Sequence, residues 1–135
     1  MNTNPYARNA QIAAYQTASV ATASPARLLV MLYERLVADV QRALDAQQDG
    51  RLEEAHHQLV HAQEIVIELW STLDTSVWDG AAGLGSIYSF LHNQLIMANT
   101  RKDPEITSYC LSMVTDLCTT WREAAMQASV SAASA

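Results

Sequence analysis

Apolar residues recur three and four positions apart in two long stretches of the first half of the chain, a spacing typical of one face of an α-helix. Ser24 and Pro25 form a strong helix opening, because the serine hydroxyl can cap a free N–H and proline has no N–H to leave unbonded. Helices are predicted over residues 25–48 and 51–73, separated by a turn at Gly50. The first apolar face comprises Leu29, Leu32, Leu36, Val40 and Ala43. The second comprises Leu52, Ala55, Leu59, Ala62, Val66, Leu69 and Leu73.

The second half of the chain repeats this spacing after a linker over residues 74–83. The apolar face of a third helix comprises Leu84, Ile87, Tyr88, Leu91, Leu95 and Ala98. Asp103 and Pro104 open a fourth helix by the same capping logic. Its face comprises Ile106, Cys110, Met113, Leu117, Trp121 and Ala124. Because the connections are short, neighbouring helices should be antiparallel. The pattern predicts an all-α fold, an antiparallel four-helix bundle with an N-terminal arm or short extra helix.

The two ends of the chain differ from the bundle segment in composition. Residues 1–23 are polar but include Ile12 and Tyr15, which is too little apolar surface for a domain and enough for an arm that docks on another surface. Residues 129–135 are almost all Ala and Ser and are predicted to form a flexible tail. The predicted organisation is an arm over residues 1–23 that can cover a groove, a bundle over residues 24–128 and this tail.

Some apolar residues lie away from the core faces when each helix is turned through 100° per residue. They are Leu28, Met31, Ile65, Phe90 and Met97. Each one alone is as consistent with ordinary surface exposure as with a function. As a set that includes two adaptable methionines, they indicate a groove for an amphipathic helix. Together with Ile12 and Tyr15 of the arm, they are the predicted partner-binding residues, and the arm or a partner segment would cover the groove.

Composition and charge narrow the class of partner. A chain of 135 residues, half of them apolar, can bury one core, and its net charge of -6 disfavours a phosphate backbone or an anionic membrane. We therefore expect a neutral or apolar partner, no nucleic acid and no membrane insertion. The first residues contain no apolar signal core, so a cytoplasmic location is expected. Cys110 and Cys118 lie about 12 Å apart along one predicted helix, too far for a disulfide, and are expected to be reduced.

Histidine and glutamate residues in the second helix raise the question of a metal site. Glu53 with His56, and Glu54 with His57, have the Glu-x-x-His spacing of di-iron bundles, but no other helix supplies the matching pair that such sites require. A solvated polar face that includes His57 and His61 is the better interpretation. The sequence therefore predicts no metal and no cofactor.

Two polar residues at the edge of the second apolar face allow two interpretations. His56 and Gln63 could make hydrogen bonds at the edge of the core, or they could fix a partner in a groove. No nucleophile motif and no glycine-rich phosphate loop is present, so we predict that the protein is not an enzyme and has no catalytic residues.

The stretch over residues 15–33, YQTASVATASPARLLVMLY, resembles the opening signature of the FliS family of flagellin-specific export chaperones. The shared features are an aromatic residue, a valine, T-A-S-P and then L-x-x-M-L-Y. The likeness continues in Leu73-Asp74, in the I-Y-x-x-L over residues 87–91, and in L-x-x-A-N over residues 95–99 followed by an acidic helix opening.

This resemblance implies a helical bundle that binds the C-terminal region of flagellin in the cytosol. Such a protein prevents premature polymerisation and assists delivery to the flagellar type III secretion system, so components of the export apparatus are further possible partners. The client segment would be disordered alone and would fold on binding, and the arm could occupy the groove in its absence. The competing hypothesis is a self-associating structural bundle, such as a homodimer, without a flagellin partner.

Overall fold

The computed structural model describes residues 25–73 and 80–134 as four α-helices. They are α1 (Pro25–Gln48), α2 (Leu52–Ser71), α3 (Ala81–Thr100) and α4 (Pro104–Ser134). The predicted all-α bundle is thereby confirmed, and its first helix has the predicted bounds. The predicted arm and its capping Ser24 lie outside the described residues, as does most of the predicted linker. No helix in the described ranges is long and apolar enough to span a membrane.

Two tight turns close one end of the bundle. At the end of α1, Gly50 has a φ of 74°, and the N–H of Arg51 donates to the carbonyl oxygen of Ala46 at 2.8 Å. At the end of α3, Lys102 has a φ of 52°, and the N–H of Asp103 donates to the carbonyl oxygen of Ala98 at 3.2 Å. Both are helix ends in which a left-handed residue lets a later N–H reach back to an open carbonyl.

Each helix packs along two others: α1 on α2 and α4, and α3 on α2 and α4. The helices therefore follow their chain order around the bundle, so that α1 and α3 are diagonal. The α1–α2 edge and the α3–α4 edge lie on opposite sides. Surface residues can therefore form one continuous surface only if they lie on helices that pack on each other.

Two tyrosines and a tryptophan connect three helices at the centre of the core. Tyr33 and Tyr88 are 0% and 1% exposed, and their hydroxyl groups hydrogen-bond to each other across the diagonal. The ring of Trp121 stacks on Tyr33 at a centroid distance of 6.3 Å and an interplanar angle of 16°. Burial raises the pKa of both tyrosines, so both hydroxyls stay protonated and can share this hydrogen bond.

The two cysteines lie in the same core as free, buried thiols, as predicted. Burial raises the pKa of Cys110 to about 12 and also raises that of Cys118. Near the closed end, the hydroxyl of Thr107 donates to Gln47 Oε1 at 2.6 Å, and Gln47 Nε2 donates to the carbonyl oxygen of Ala98 at 3.2 Å. The polar atoms buried between α1, α3 and α4 are thus satisfied.

The predicted core faces require corrections at four positions. Leu52 is 45% exposed because it is the first residue of α2, and Ile87 is 38% exposed because it lies at the margin of the apolar face of α3. On α4, Val114 is buried although the predicted stripe omits it, whereas Ala124 is exposed. The apolar face of α4 is broad, so spacing alone does not identify its centre.

The last helix extends further than its apolar stripe. α4 continues to Ser134, through most of the predicted tail, since alanine is a strong helix former. Met126 and Val130 are 66% and 56% exposed in this part of the helix. The flexibility of residues 129–135 stays a prediction.

Candidate functional site

Two of the predicted binding residues lie near the start of α1, and a third lies on α2. Leu28 is half-buried and Met31 is 37% exposed, but Ile65 is 4% exposed and belongs to the core. The expectation that Ile65 points away from the core is therefore wrong. The flank of α2 that carries it packs on α1, since His61, one turn earlier, contacts Asp39 of α1.

The other two described residues, Phe90 and Met97, lie on the opposite side, where α3 meets α4. Phe90 is 45% exposed, and its ring meets Tyr109 edge to face at a centroid distance of 6.3 Å and an angle of 87°. Met97 is half-buried, and Gln94 Nε2 lies 4.0 Å from its sulfur. The predicted set thus falls on α1, α2 and α3, and because α1 and α3 are diagonal, no single straight helix could cover all of it. Ile12 and Tyr15 lie outside the described residues.

The helix α3 differs from its neighbours in charge. None of its 20 residues is Asp, Glu, Lys or Arg, whereas α1 contains six such residues and α2 four. The part of α4 over residues 106–115 also contains none. Charged residues are mostly exposed in proteins and are depleted at the centres of protein interfaces, so a long exposed strip without them is a candidate interface.

We call this strip the neutral face. It comprises Ile87, Phe90, Gln94 and Met97 of α3 with Tyr109 and Met113 of α4. Its most exposed members are Tyr109 at 53%, Phe90 at 45% and Ile87 at 38%. Such a surface offers apolar contact area and neutral hydrogen-bonding groups. It is suited to an apolar stripe of another polypeptide.

A concavity lies elsewhere, at the closed end of the bundle. Its volume is about 280 Å³, and its lining includes Leu52, His56, Asn99 and Lys102. His56 Nδ1 lies 3.0 Å from Asn99 Nδ2 and 3.2 Å from Asn99 Oδ1, so these side chains hydrogen-bond between α2 and α3. The hydrogen bond predicted for His56 at the edge of the core is confirmed.

The other two histidines of α2 have different surroundings. His57 Nε2 lies 3.8 Å from Glu53 Oε1 on the exposed face, as predicted. His61 is not simply solvated: it contacts the carboxylate of Asp39, which is 1% exposed and also lies 3.8 Å from Arg42. Among the described residues, no group of three or more His, Cys, Asp or Glu side chains could hold a metal ion.

Sequence spacing missed several exposed apolar residues. Tyr109 was assigned to no surface, and Ile67 and Trp70 of α2 are 51% and 40% exposed. Tyr109 could have been found from the charge-free segment around it, a signal visible in the sequence. Ile67 and Trp70 lie next to the apolar face of α2. At such positions the spacing of apolar residues does not distinguish a buried side chain from an exposed one.

The chain is similar to proteins of one family. The family model described as "Flagellar protein FliS" matches residues 7–128. The Flagellar secretion chaperone FliS of Bacillus subtilis (strain 168) is 31% identical over 121 residues, which cover 90% of this chain and 86% of the relative. The Flagellar secretion chaperone FliS of Vibrio cholerae serotype O1 is 29% identical over 115 residues, which cover 80% of this chain and 83% of the relative.

The fold also matches a solved structure, described as the crystal structure of a flagellar chaperone from bacteria. The TM-score is 0.70 at 17% sequence identity, and the match covers 87% of this chain and 98% of the other. At this identity the likeness shows a shared fold.

Proposed function

The chain belongs to the FliS family of flagellar secretion chaperones, and we propose that it binds the C-terminal region of flagellin in the cytoplasm before export. The neutral face is the observation that carries this proposal. The face combines exposed Phe90 and Tyr109 with a helix, α3, that contains no charged residue. A helical client segment would bury its apolar stripe there.

Binding of this kind would explain both parts of a chaperone role. A flagellin segment held on the neutral face has its own apolar stripe covered, so it cannot pair with other flagellin subunits. The same complex would keep the subunit in a state that the flagellar type III secretion system can accept. If the segment folds on binding, ordering it costs a few kcal/mol, which buried apolar area must offset.

We further propose that residues 1–23 cover part of the apolar surface when flagellin is absent. This proposal rests on the family resemblance and on the apolar residues Ile12 and Tyr15 in an otherwise polar segment. Deleting residues 1–18 should increase the binding of an apolar fluorescent dye. Unchanged dye binding would show that this segment does not cover the surface.

Calorimetric titration with the C-terminal segment of flagellin from the same organism tests the main proposal. We expect saturable one-to-one binding with a negative heat-capacity change, the mark of apolar burial. Phe90→Asp should weaken the affinity at least about tenfold, because a carboxylate would be buried without a partner. Met31→Asp, on the exposed side of α1, should weaken it as well if the segment extends around the bundle.

The matched control is Ile67→Asp, which places the same charge on an exposed apolar position outside the neutral face. We expect its affinity for flagellin and its melting temperature to match those of the unmodified chain. Absence of heat at high concentration would refute flagellin as the partner. A lower melting temperature of Phe90→Asp with intact affinity would make Phe90 a core residue instead.

A further inference from the structure

Two side-chain amides lie beside the exposed aromatic ring of the neutral face. Asn93 and Gln94 follow Phe90 by three and four residues, so the three side chains are neighbours on the surface of α3. Asn93 is exposed and Gln94 is half-buried. Gln94 Nε2 lies 4.0 Å from the sulfur of Met97, and among the described residues neither amide has another hydrogen-bond partner. Both amides therefore have donors and an acceptor to offer a bound helix.

The surface of α3 around these amides has no charged side chain. α3 contains no Asp, Glu, Lys or Arg. Its one histidine, His92, lies two turns from Gly85 and thus on the flank of α3 that meets Trp70 of α2. Phe90, which contacts Tyr109 of α4, lies on the opposite flank. This side of α3 thus offers a bound helix hydrogen bonds but no counter-charge.

The nearest charged residues lie on the borders of the neutral face. Arg101 follows the last residue of α3. Across the strip, Glu105 precedes and Asp116 follows the charge-free residues 106–115 of α4. Glu105 is exposed and lies further from α3 around the α4 surface than Tyr109, which meets α3. A helix bound along the strip would therefore meet charges only on its α4 side and at its ends.

This arrangement can discriminate between client helices. A charged client side chain laid over Asn93 and Gln94 would lose part of its water without gaining an opposite charge, which costs free energy. An Asn, Gln, Ser or Thr side chain there would exchange hydrogen bonds with water for hydrogen bonds to the two amides. A binding surface selects its partner in part through the cost that it imposes on competitors.

We propose that the neutral face selects a helix whose flank over α3 is uncharged. Asn93 and Gln94 determine this specificity by hydrogen-bonding Asn, Gln, Ser or Thr side chains of that helix. The inference rests on the proposed flagellin binding and names the chemistry of the flagellin segment at this contact. It goes beyond burial of an apolar stripe, which an amphipathic helix can supply whatever its flanking charges.

Charges of both signs at these two positions test the proposal. Calorimetric titration of the full chain with the C-terminal flagellin segment should show that Gln94→Glu and Gln94→Lys each weaken the affinity about tenfold. Asn93→Asp and Asn93→Lys should each weaken it about threefold. Because Asn93 is exposed, both of its variants should keep the melting temperature of the unmodified chain. Losses with both signs are expected because an uncharged flank offers a counter-charge to neither.

The matched controls are Gln48→Glu and Gln48→Lys, which place the same charges at an exposed position of α1, the helix diagonal to α3. Both should leave the affinity within about twofold. Opposite effects of the two signs at Asn93 or Gln94 would overturn the proposal, because they would show a charged client flank. Unchanged affinity in all four variants would also overturn it, because the client would then not cross the amides.

Neither of these outcomes would count against the proposed function, because the unmodified chain would still bind flagellin. Absence of binding by the unmodified chain would instead refute flagellin as the partner and this inference together.

Discussion

The α1–α2 pair and the α3 helix bury similar apolar faces, but their outer surfaces are built differently. α1 and α2 contain ten charged residues between them and are joined by the contact between Asp39 and His61. α3 contains none and presents Ile87 and Phe90 to solvent. The comparison teaches that in this bundle the absence of charge, more than the presence of apolar residues, distinguishes the proposed binding surface from the solvated surfaces.

The largest expected effect tests the contact between His61 of α2 and the buried carboxylate of Asp39 of α1. His61→Ala leaves the carboxylate of Asp39, 1% exposed, with only Arg42 at 3.8 Å, so the free energy of unfolding should fall by about 2–3 kcal/mol. Urea unfolding measures this loss. The control is His57→Ala, on the exposed face of the same helix, which should change stability by less than about 0.5 kcal/mol. Equal effects of the two variants would remove the distinction between these histidines.

The second effect is a loss of stability at high pH caused by the buried thiol of Cys110. The pKa of Cys110 rises from an ordinary 9.0 to about 12 on burial, so above pH 9 the unfolded chain loses this proton while the folded chain keeps it. Stability should therefore be constant below pH 9 and decrease above it, by about 1 kcal/mol at pH 10. Urea unfolding between pH 7 and 10.5 measures the decrease. Cys110→Ala should reduce the slope between pH 9 and 10 and leave a smaller decrease, because burial also raises the pKa of Cys118. An identical slope in this variant would rule out the Cys110 thiol as a cause.

A smaller effect tests the intrinsic stability of α3. Gly83 is exposed, and a Cβ added there would meet no atom within 4 Å, so Gly83→Ala should stabilise the fold by about 0.5–1 kcal/mol. Thermal unfolding provides the measurement. Gly50→Ala is the contrasting variant, since its φ of 74° disfavours a side chain, and it should destabilise by about 1 kcal/mol. Stabilisation by both changes would contradict the assigned turn geometry.

The smallest expected effect is that of salt on flagellin binding, and it tests the difference in charge between α3 and the α1–α2 pair. Because the neutral face lacks charge, the affinity for the flagellin segment should change by less than about twofold between 50 and 500 mM salt. Titration at several salt concentrations measures this. A steep decrease with salt would mean that the segment contacts the charged surfaces of α1 or α2 instead.

Helix positions could be predicted from the sequence because their signals are local. Apolar spacing identified the four helices, and Pro25, Gly50 and Pro104 marked where three of them begin or end. Those signals depend only on backbone geometry and helical period, so they survive whatever the chain packs against.

The site was harder to predict because its features depend on which helices are neighbours. Spacing assigns no role to Asp39, because the partner on another helix that compensates its burial is His61, across the α1–α2 contact. Ile65 was placed on the surface for the same reason, since its flank faces α1. Phe90 was found by spacing, but its contact with Tyr109 required the α3–α4 register.

The hydrogen bond between Tyr33 and Tyr88 has a consequence for synthesis on the ribosome. Tyr33 is among the first residues of α1 to be made, but its hydroxyl partner comes from α3, and Trp121, which stacks on its ring, comes from α4. A nascent chain that has released only α1 and α2 lacks both partners of this buried ring. The core around Tyr33 therefore closes only after α3 and the part of α4 that carries Trp121 have emerged.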